Sequence, residues 1–151
     1  MLAFYRGKSW LSWLIRWRTW RDASHVAWIC KDGTVIEAWA PGGVRHVSSL
    51  SCRHTPGTRI RLYAVAGLHS ETVEKLLTGE LGAGYDYWGI LGFALRRKTE
   101  NKRRWFCSEL IYWAIQQAGI QLLRESEPSK VSPGDLEMSP MLTLYGDLVT
   151  T

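Results

Sequence analysis

Residues 24–39 read SHVAWICKDGTVIEAW, and the fold turns on them. Ser24 to Cys30 and Thr34 to Ala40 are both apolar and rich in β-branched and aromatic residues, with Lys31-Asp32-Gly33 between them. That pattern predicts two antiparallel strands joined by a tight turn. The length of the turn decides which side chains meet. With a three-residue turn and Gly33 in the left-handed region, Cys30 opposes Thr34 and Ala27 opposes Glu37. His25 and Glu37 then share a face as diagonal neighbours, about 7–8 Å apart at the backbone. A two-residue turn at Asp32-Gly33 would put them on opposite faces. Glu37 calls for a partner in either case, because an unpaired inward carboxylate is costly.

Working outward, Leu2 to Tyr5 is a short apolar run, read as a strand or a docked arm. Ser9 is placed to cap a helix over residues 10–20. Pro41-Gly42-Gly43 ends the second central strand, Val44 to Leu50 offers a third, and Arg59 to Val65 alternates as a half-exposed strand does. Ser70 to Leu81 has helical spacing and is broken by Gly82 and Gly84. Tyr87 to Leu95 reads as a short helix, and Arg96 to Arg104 as a basic loop. Phe106 to Ala118 is the clearest helix, with Gly119 at its C-terminal cap position. Glu125 to Gly134 reads as a Ser/Pro-rich loop, and the tail from Asp135 to Thr151 carries weak signals. The expectation is an α+β fold, a central antiparallel sheet flanked by helices, in a single domain over residues 1–151.

Composition agrees. The 151 residues are 46% hydrophobic and 22% charged, which is globular and excludes collagen, coiled coil and long disorder. Nineteen Lys and Arg against fourteen Asp and Glu leave a net charge of +5. Aromatic and basic residues do not interleave on one readable element, so nucleic acid is not expected as a partner. The cysteines at 30, 52 and 107 have no disulfide or zinc spacing. Arginines at 16, 18 and 21 interrupt the N-terminal apolar stretch, which argues against a secretory signal and for a cytoplasmic site of synthesis. Delivery in a phage particle is compatible with the same signals.

The chemistry-bearing residues are few. Cys107 begins the best helix, where the partial positive charge of the N-terminus stabilises a thiolate. A neutral His25 beside it would take the thiol proton and return it to a leaving group. Glu37, accepting from the far imidazole nitrogen, would fix the tautomer. The competing thiol site is Cys52 with His54; His46 and His69 have no obvious partner. The bland reading of Cys107 is a small buried hydrophobe.

The order of SHVAW, VIEAW, the basic strand, YDYWG (85–89) and FCSEL (106–110) resembles the circularly permuted papain-like fold, and within it the YiiX-like branch of the NlpC-type cysteine hydrolases. In that branch the His strand and its polar partner precede the cysteine helix. The resemblance spans roughly residues 2–120 and implies Cys107 as nucleophile, His25 as general base and Glu37 as orienting residue. It points to Tyr85 as a residue lining the site near the nucleophile. Ser108 enters through its backbone N–H, an oxyanion donor beside that of Cys107. The implied reaction is hydrolysis of an amide, a cell-wall peptide among the substrates, through a thioacyl-enzyme and with no metal or organic cofactor. A lipid-directed acylhydrolase or acyltransferase is the alternative within this chemistry, and a non-catalytic binding module that keeps the fold is the alternative outside it. The expected partner is a peptide or an acylated small substrate.

Nine tryptophans stand in the chain, four of them at 10, 13, 17 and 20. The first expectation is a packed helix whose large rings fill out a small core. The second is an interfacial helix, with Trp at the apolar boundary and Arg toward an anionic membrane surface.

Overall fold

The structure, a computed structural model, describes residues 1–87, 104–124 and 126–151. The expected helix at Tyr87–Leu95 and the basic loop at 96–104 lie outside them, apart from Tyr87 and Arg104. Strands β1 (Leu2–Arg6), β2 (His25–Ile29), β3 (Val35–Trp39), β4 (Gly43–Val47), β5 (Arg59–Val65) and β8 (Leu142–Val149) make one antiparallel sheet, ordered β4-β3-β2-β1-β5-β8. Two short strands, β6 (Gly84–Tyr85) and β7 (Arg104–Trp105), pair in parallel beside it. The helices are α1 (Trp10–Thr19), α2 (Ser70–Gly79), α3 (Cys107–Gln117) and α4 (Pro133–Glu137), with a 3-10 turn at Pro128–Lys130. The architecture is α+β, as the pattern of elements predicts. No helix among the described residues is long and apolar enough to cross a membrane.

Both faces of the central strands are covered, which is why they read as nearly unbroken apolar runs. One face carries Leu2, Phe4, Val26, Trp28 and Ile36 against Leu110, Ile111, Ala114 and Ile115 of α3 and Val73 and Leu77 of α2. The other carries Ala3, Tyr5, Ala27, Ile29, Val35, Ile60 and Leu62, with Val47 and Leu50 packed on them.

The β2–β3 turn has the longer form. Trp28 pairs with Ile36 and Ile29 with Val35. The Cys30 N–H donates to the Thr34 carbonyl at 2.8 Å, and Gly33 takes φ +83°. The same register carried inward sets Ala27 opposite Glu37. Asp32 secures the turn, accepting from the Thr34 N–H at 2.9 Å.

Three expectations need correction. The tryptophans of α1 do not pack into a core: only Ile15 of that helix is buried, and Trp10, Trp13, Trp17 and Trp20 are exposed. The tail from Asp135 is not featureless. Capped by Ser132, α4 spans Pro133–Glu137, and β8 completes the sheet edge against β5. And His46 has a partner, Thr34 Oγ1 at 2.6 Å.

A close backbone approach fixes the end of the sheet that matters below. The Val44 N–H donates to Ala83 O at 2.8 Å, and the Gly82 N–H donates to Val44 O at 2.9 Å. Gly43 makes this approach possible. Its φ is +81°, and a Cβ there would lie 1.9 Å from Ala83 O. Gly43→Ala should therefore cost about 2–4 kcal/mol in urea unfolding, from strain and displacement of the segment that leads into Tyr85. A loss within the scatter of ordinary surface substitutions would refute this account of the contact.

Candidate active site

The site forms where β1 ends, β2 begins, β3 ends and β4 begins. Glu37 is its centre. Its side chain is 1% exposed, and every strong partner it has is cationic or can become so. Arg45, directly opposite on β4, donates from Nε at 3.0 Å and Nη2 at 2.6 Å to Oε1. His25 Nε2 lies 2.6 Å from Oε2, and His54 Nε2 lies 3.9 Å from the same oxygen. Burial alone would raise the Glu37 pKa; hydrogen bonds from His25 and Arg45, with His54 close by, overcome it and hold the carboxyl well below its usual range.

The rings around Glu37 are mutually packed. His54 stacks on Tyr5 with centroids 4.1 Å apart, and Trp39 meets both His25 and His54 edge-on. The Arg45 guanidinium sits over the Trp39 ring at 4.4 Å. These contacts leave each imidazole little rotational freedom.

His25 is also the link to α3. Burial pulls its pKa down, but the hydrogen bond and charge of Cys107, together with Glu37, push it up to about 10. With Nε2 committed to Glu37, Nδ1 is the nitrogen left for the sulfur. Cys107, the first residue of α3, is buried. His54 behaves in the opposite sense: burial and the neighbouring cations His25 and Arg45 lower its pKa against the pull of Glu37, so it is neutral near pH 7.

A cavity of about 400 Å³ opens beside His25. Its walls include His25, Trp39, His54 and Tyr85 on the sheet side and Leu11 and Ile15 of α1. Tyr85 is buried against Phe106 and Tyr87. Burial raises its pKa first, with Cys107 and the neighbouring Tyr87 and Asp86 adding to it, so the phenol stays a protonated donor. Ser108 stands differently. Its hydroxyl is buried and donates to Val131 O at 2.6 Å, so it anchors the loop after α3 instead of lining the cavity. What remains to Ser108 at the site is a first-turn backbone N–H, which helix geometry leaves without an intrahelical partner.

His25, Glu37, Cys107 and Tyr85 therefore meet at one end of the sheet. His54 turns onto Glu37 and Tyr5, which removes it from the expected pairing with Cys52. Sequence reasoning missed Arg45 and missed the placement of His54. A signal for Arg45 existed, since a carboxylate inside an apolar strand asks for a cation across the next turn. For His54 no local signal existed.

The pairing has a pH signature. Unfolded imidazole titrates near 6.5 and folded His25 near 10, so the stability that His25 contributes is complete below about pH 6.5 and is lost as pH rises toward 10. Glu37 has the opposite sign: its contribution is present above the ordinary carboxylate range and is lost in strong acid. Urea midpoints should thus fall between about pH 6.5 and 10, and His25→Gln should flatten that decline. An equal slope in both proteins would refute the His25–Glu37–Cys107 coupling.

No family model and no curated protein matches the chain. Among solved structures it is similar to the metalloprotein YiiX of Escherichia coli O157:H7, at 22% identity and a TM-score of 0.67, over 96% of this chain and 94% of that one. The chain whose sheet brings His25 and Glu37 toward the start of α3 thus has a YiiX-like fold.

Proposed function

We propose that this chain is a cysteine hydrolase acting on an amide, a peptide among its substrates, through a thioacyl-enzyme. The observation that carries this reading is His25, its Nε2 2.6 Å from the buried Glu37 carboxylate and its ring near enough to Cys107, the first residue of α3, to feel its charge. The order of the two strands before the cysteine helix is that of the permuted papain-like arrangement, with residues 1–151 acting as one unit.

In the proposed reaction the Cys107 thiolate attacks the amide carbonyl carbon, forming a C–S bond. The carbonyl electron pair moves onto oxygen, where the first-turn N–H groups of Cys107 and Ser108 and the Tyr85 hydroxyl donate. Collapse breaks the C–N bond, and the imidazolium of His25 gives its proton to the departing amine. Neutral His25 then takes a proton from water as that water attacks the thioester. A second collapse releases the carboxylic acid and returns thiolate and imidazolium. Glu37 takes no proton. It is an orienting residue that keeps Nε2 occupied and Nδ1 toward sulfur, and Arg45 keeps Glu37 itself ionised and in place.

A metal-dependent reading has one observation in its favour. The donor atoms of His25, Glu37 and His54 lie within 4.8 Å of one another, and the similar YiiX is described as a metalloprotein. The donor types suit zinc, but their spacing does not. His25 Nε2 and Glu37 Oε2 are 2.6 Å apart, a proton-sharing distance. Two ligands on a tetrahedral zinc with bonds of about 2.0 Å are about 3.3 Å apart. Arg45 places a further positive charge on the same carboxylate. No step is routed through a metal.

Two measurements test the proposal. Iodoacetamide labelling followed by peptide mapping should mark Cys107 in the native protein near pH 7, and His25→Ala should slow it by a factor of about 10²–10⁴. Incubation with a library of acyl amides should trap a mass adduct on the Cys107 peptide, absent in Cys107→Ser and unaffected by a zinc chelator. Labelling of Cys107 no faster than of Cys52, with no adduct from any amide, would overturn the hydrolase reading.

A further inference from the structure

The outward face of α1 has no partner among the described residues. Trp10, Trp13 and Trp17 fall at i, i+3 and i+7, a single stripe opposite the buried Ile15. Their exposures are 77%, 58% and 59%, and Trp20 just past the helix is 89% exposed. Trp13 and Trp17 stack on each other, with centroids 6.1 Å apart. Exposing three indoles on one ten-residue helix, and a fourth just past its end, is costly in water, since each ring offers a large apolar area. Ser9 caps the helix, its side chain accepting from the Ser12 N–H at 3.2 Å, so the stripe is held in register.

The charges around the stripe share one sign. Arg16 and Arg18 flank it on either side, and α1 contains no acidic residue. Neither arginine forms an ion pair among the described residues, whereas Arg6 and Arg21 nearby are engaged by Asp22 and Asp135. Indoles on the outward line with guanidinium groups at its margins match the boundary of an anionic bilayer: rings at the acyl–headgroup level, arginine stems reaching up to phosphate. A protein partner would need a complementary apolar groove with an acidic rim. A second copy of this chain offers the same cationic margins and would be repelled.

We propose that α1 is an interfacial helix that seats the protein on an anionic membrane surface, with the Trp10–Trp13–Trp17 stripe in the interface and Arg16 and Arg18 against the headgroups. The opposite side of the same helix walls the cavity through Leu11 and Ile15, and Trp10 borders both surfaces. Docking therefore brings the cavity to the membrane.

The test is co-sedimentation of the full chain with vesicles of phosphatidylcholine alone and of phosphatidylcholine mixed with phosphatidylglycerol, read together with quenching of tryptophan emission by brominated lipid. Wild type should sediment with the anionic vesicles, weakly with the neutral ones, and release at high salt. Trp13→Ala/Trp17→Ala should weaken binding by about tenfold or more and lose most of the quenching. Arg16→Ala/Arg18→Ala should lose the preference for anionic lipid. These side chains are at the surface, and circular dichroism of each variant confirms the fold. The proposal is overturned if wild type stays in the supernatant with anionic vesicles, if the double tryptophan variant binds and is quenched as wild type is, or if the stripe instead drives salt-stabilised self-association without vesicles.

Discussion

One buried negative charge organises this end of the molecule. A carboxylate taken out of water must be met by cations and hydrogen bonds or be neutralised. Glu37 is met by Arg45 on one oxygen and His25 on the other, with His54 close behind. Each partner arrives on a different element: β4, β2 and the loop after β4. Satisfying Glu37 therefore fixes the relative positions of three pieces of chain, and it fixes the orientation of His25 as a by-product. A hydrophobic residue at position 37 would suit the rest of the strand and would leave the imidazole free to turn.

The second organising constraint is a narrow one, the approach of the Gly82–Tyr85 segment to β4. It brings Tyr85 to the cavity and seats it against Phe106, the residue before Cys107. The sheet thus supplies His25 and Glu37 directly, while the helix and the Tyr85 segment are docked onto it. The covalent order of the chain and the spatial order of the site are different things, and the hydrogen bonds at Val44 connect them.

Much of this is legible in the sequence. The β2–β3 hairpin and α3 are local structures written in turn chemistry and helical spacing. The three-residue turn made the His25–Glu37 pairing a matter of counting. Where reading failed, the cause was non-local. Arg45 meets Glu37 only because β3 and β4 pair in a particular register across Pro41-Gly42-Gly43. His54 comes from an irregular loop and is placed by stacking on Tyr5, a residue of the first strand. β8 lies at a sheet edge with most of its side chains exposed and a register shift opposite Leu62/Tyr63, so it shows no clean alternation. The α1 tryptophans carry a helical period that says they share a face but not whether that face turns inward.

The topology has a consequence for synthesis. The strands β1 to β5, which form a continuous run of neighbours in the sheet, are all contained in residues 2–65. All of them are synthesised before α3, whose residues Leu110, Ile111, Ala114 and Ile115 cover one of their faces. His25, Glu37, Arg45 and His54 all belong to that early portion, and Cys107 does not. Translation therefore delivers every residue of the polar cluster before Cys107, while the sheet face that α3 covers is still open. A nascent chain halted before α3 would hold every residue of the Glu37 cluster and none of the helix that covers Leu2, Phe4, Val26 and Trp28, an apolar face left bare by the order of translation alone.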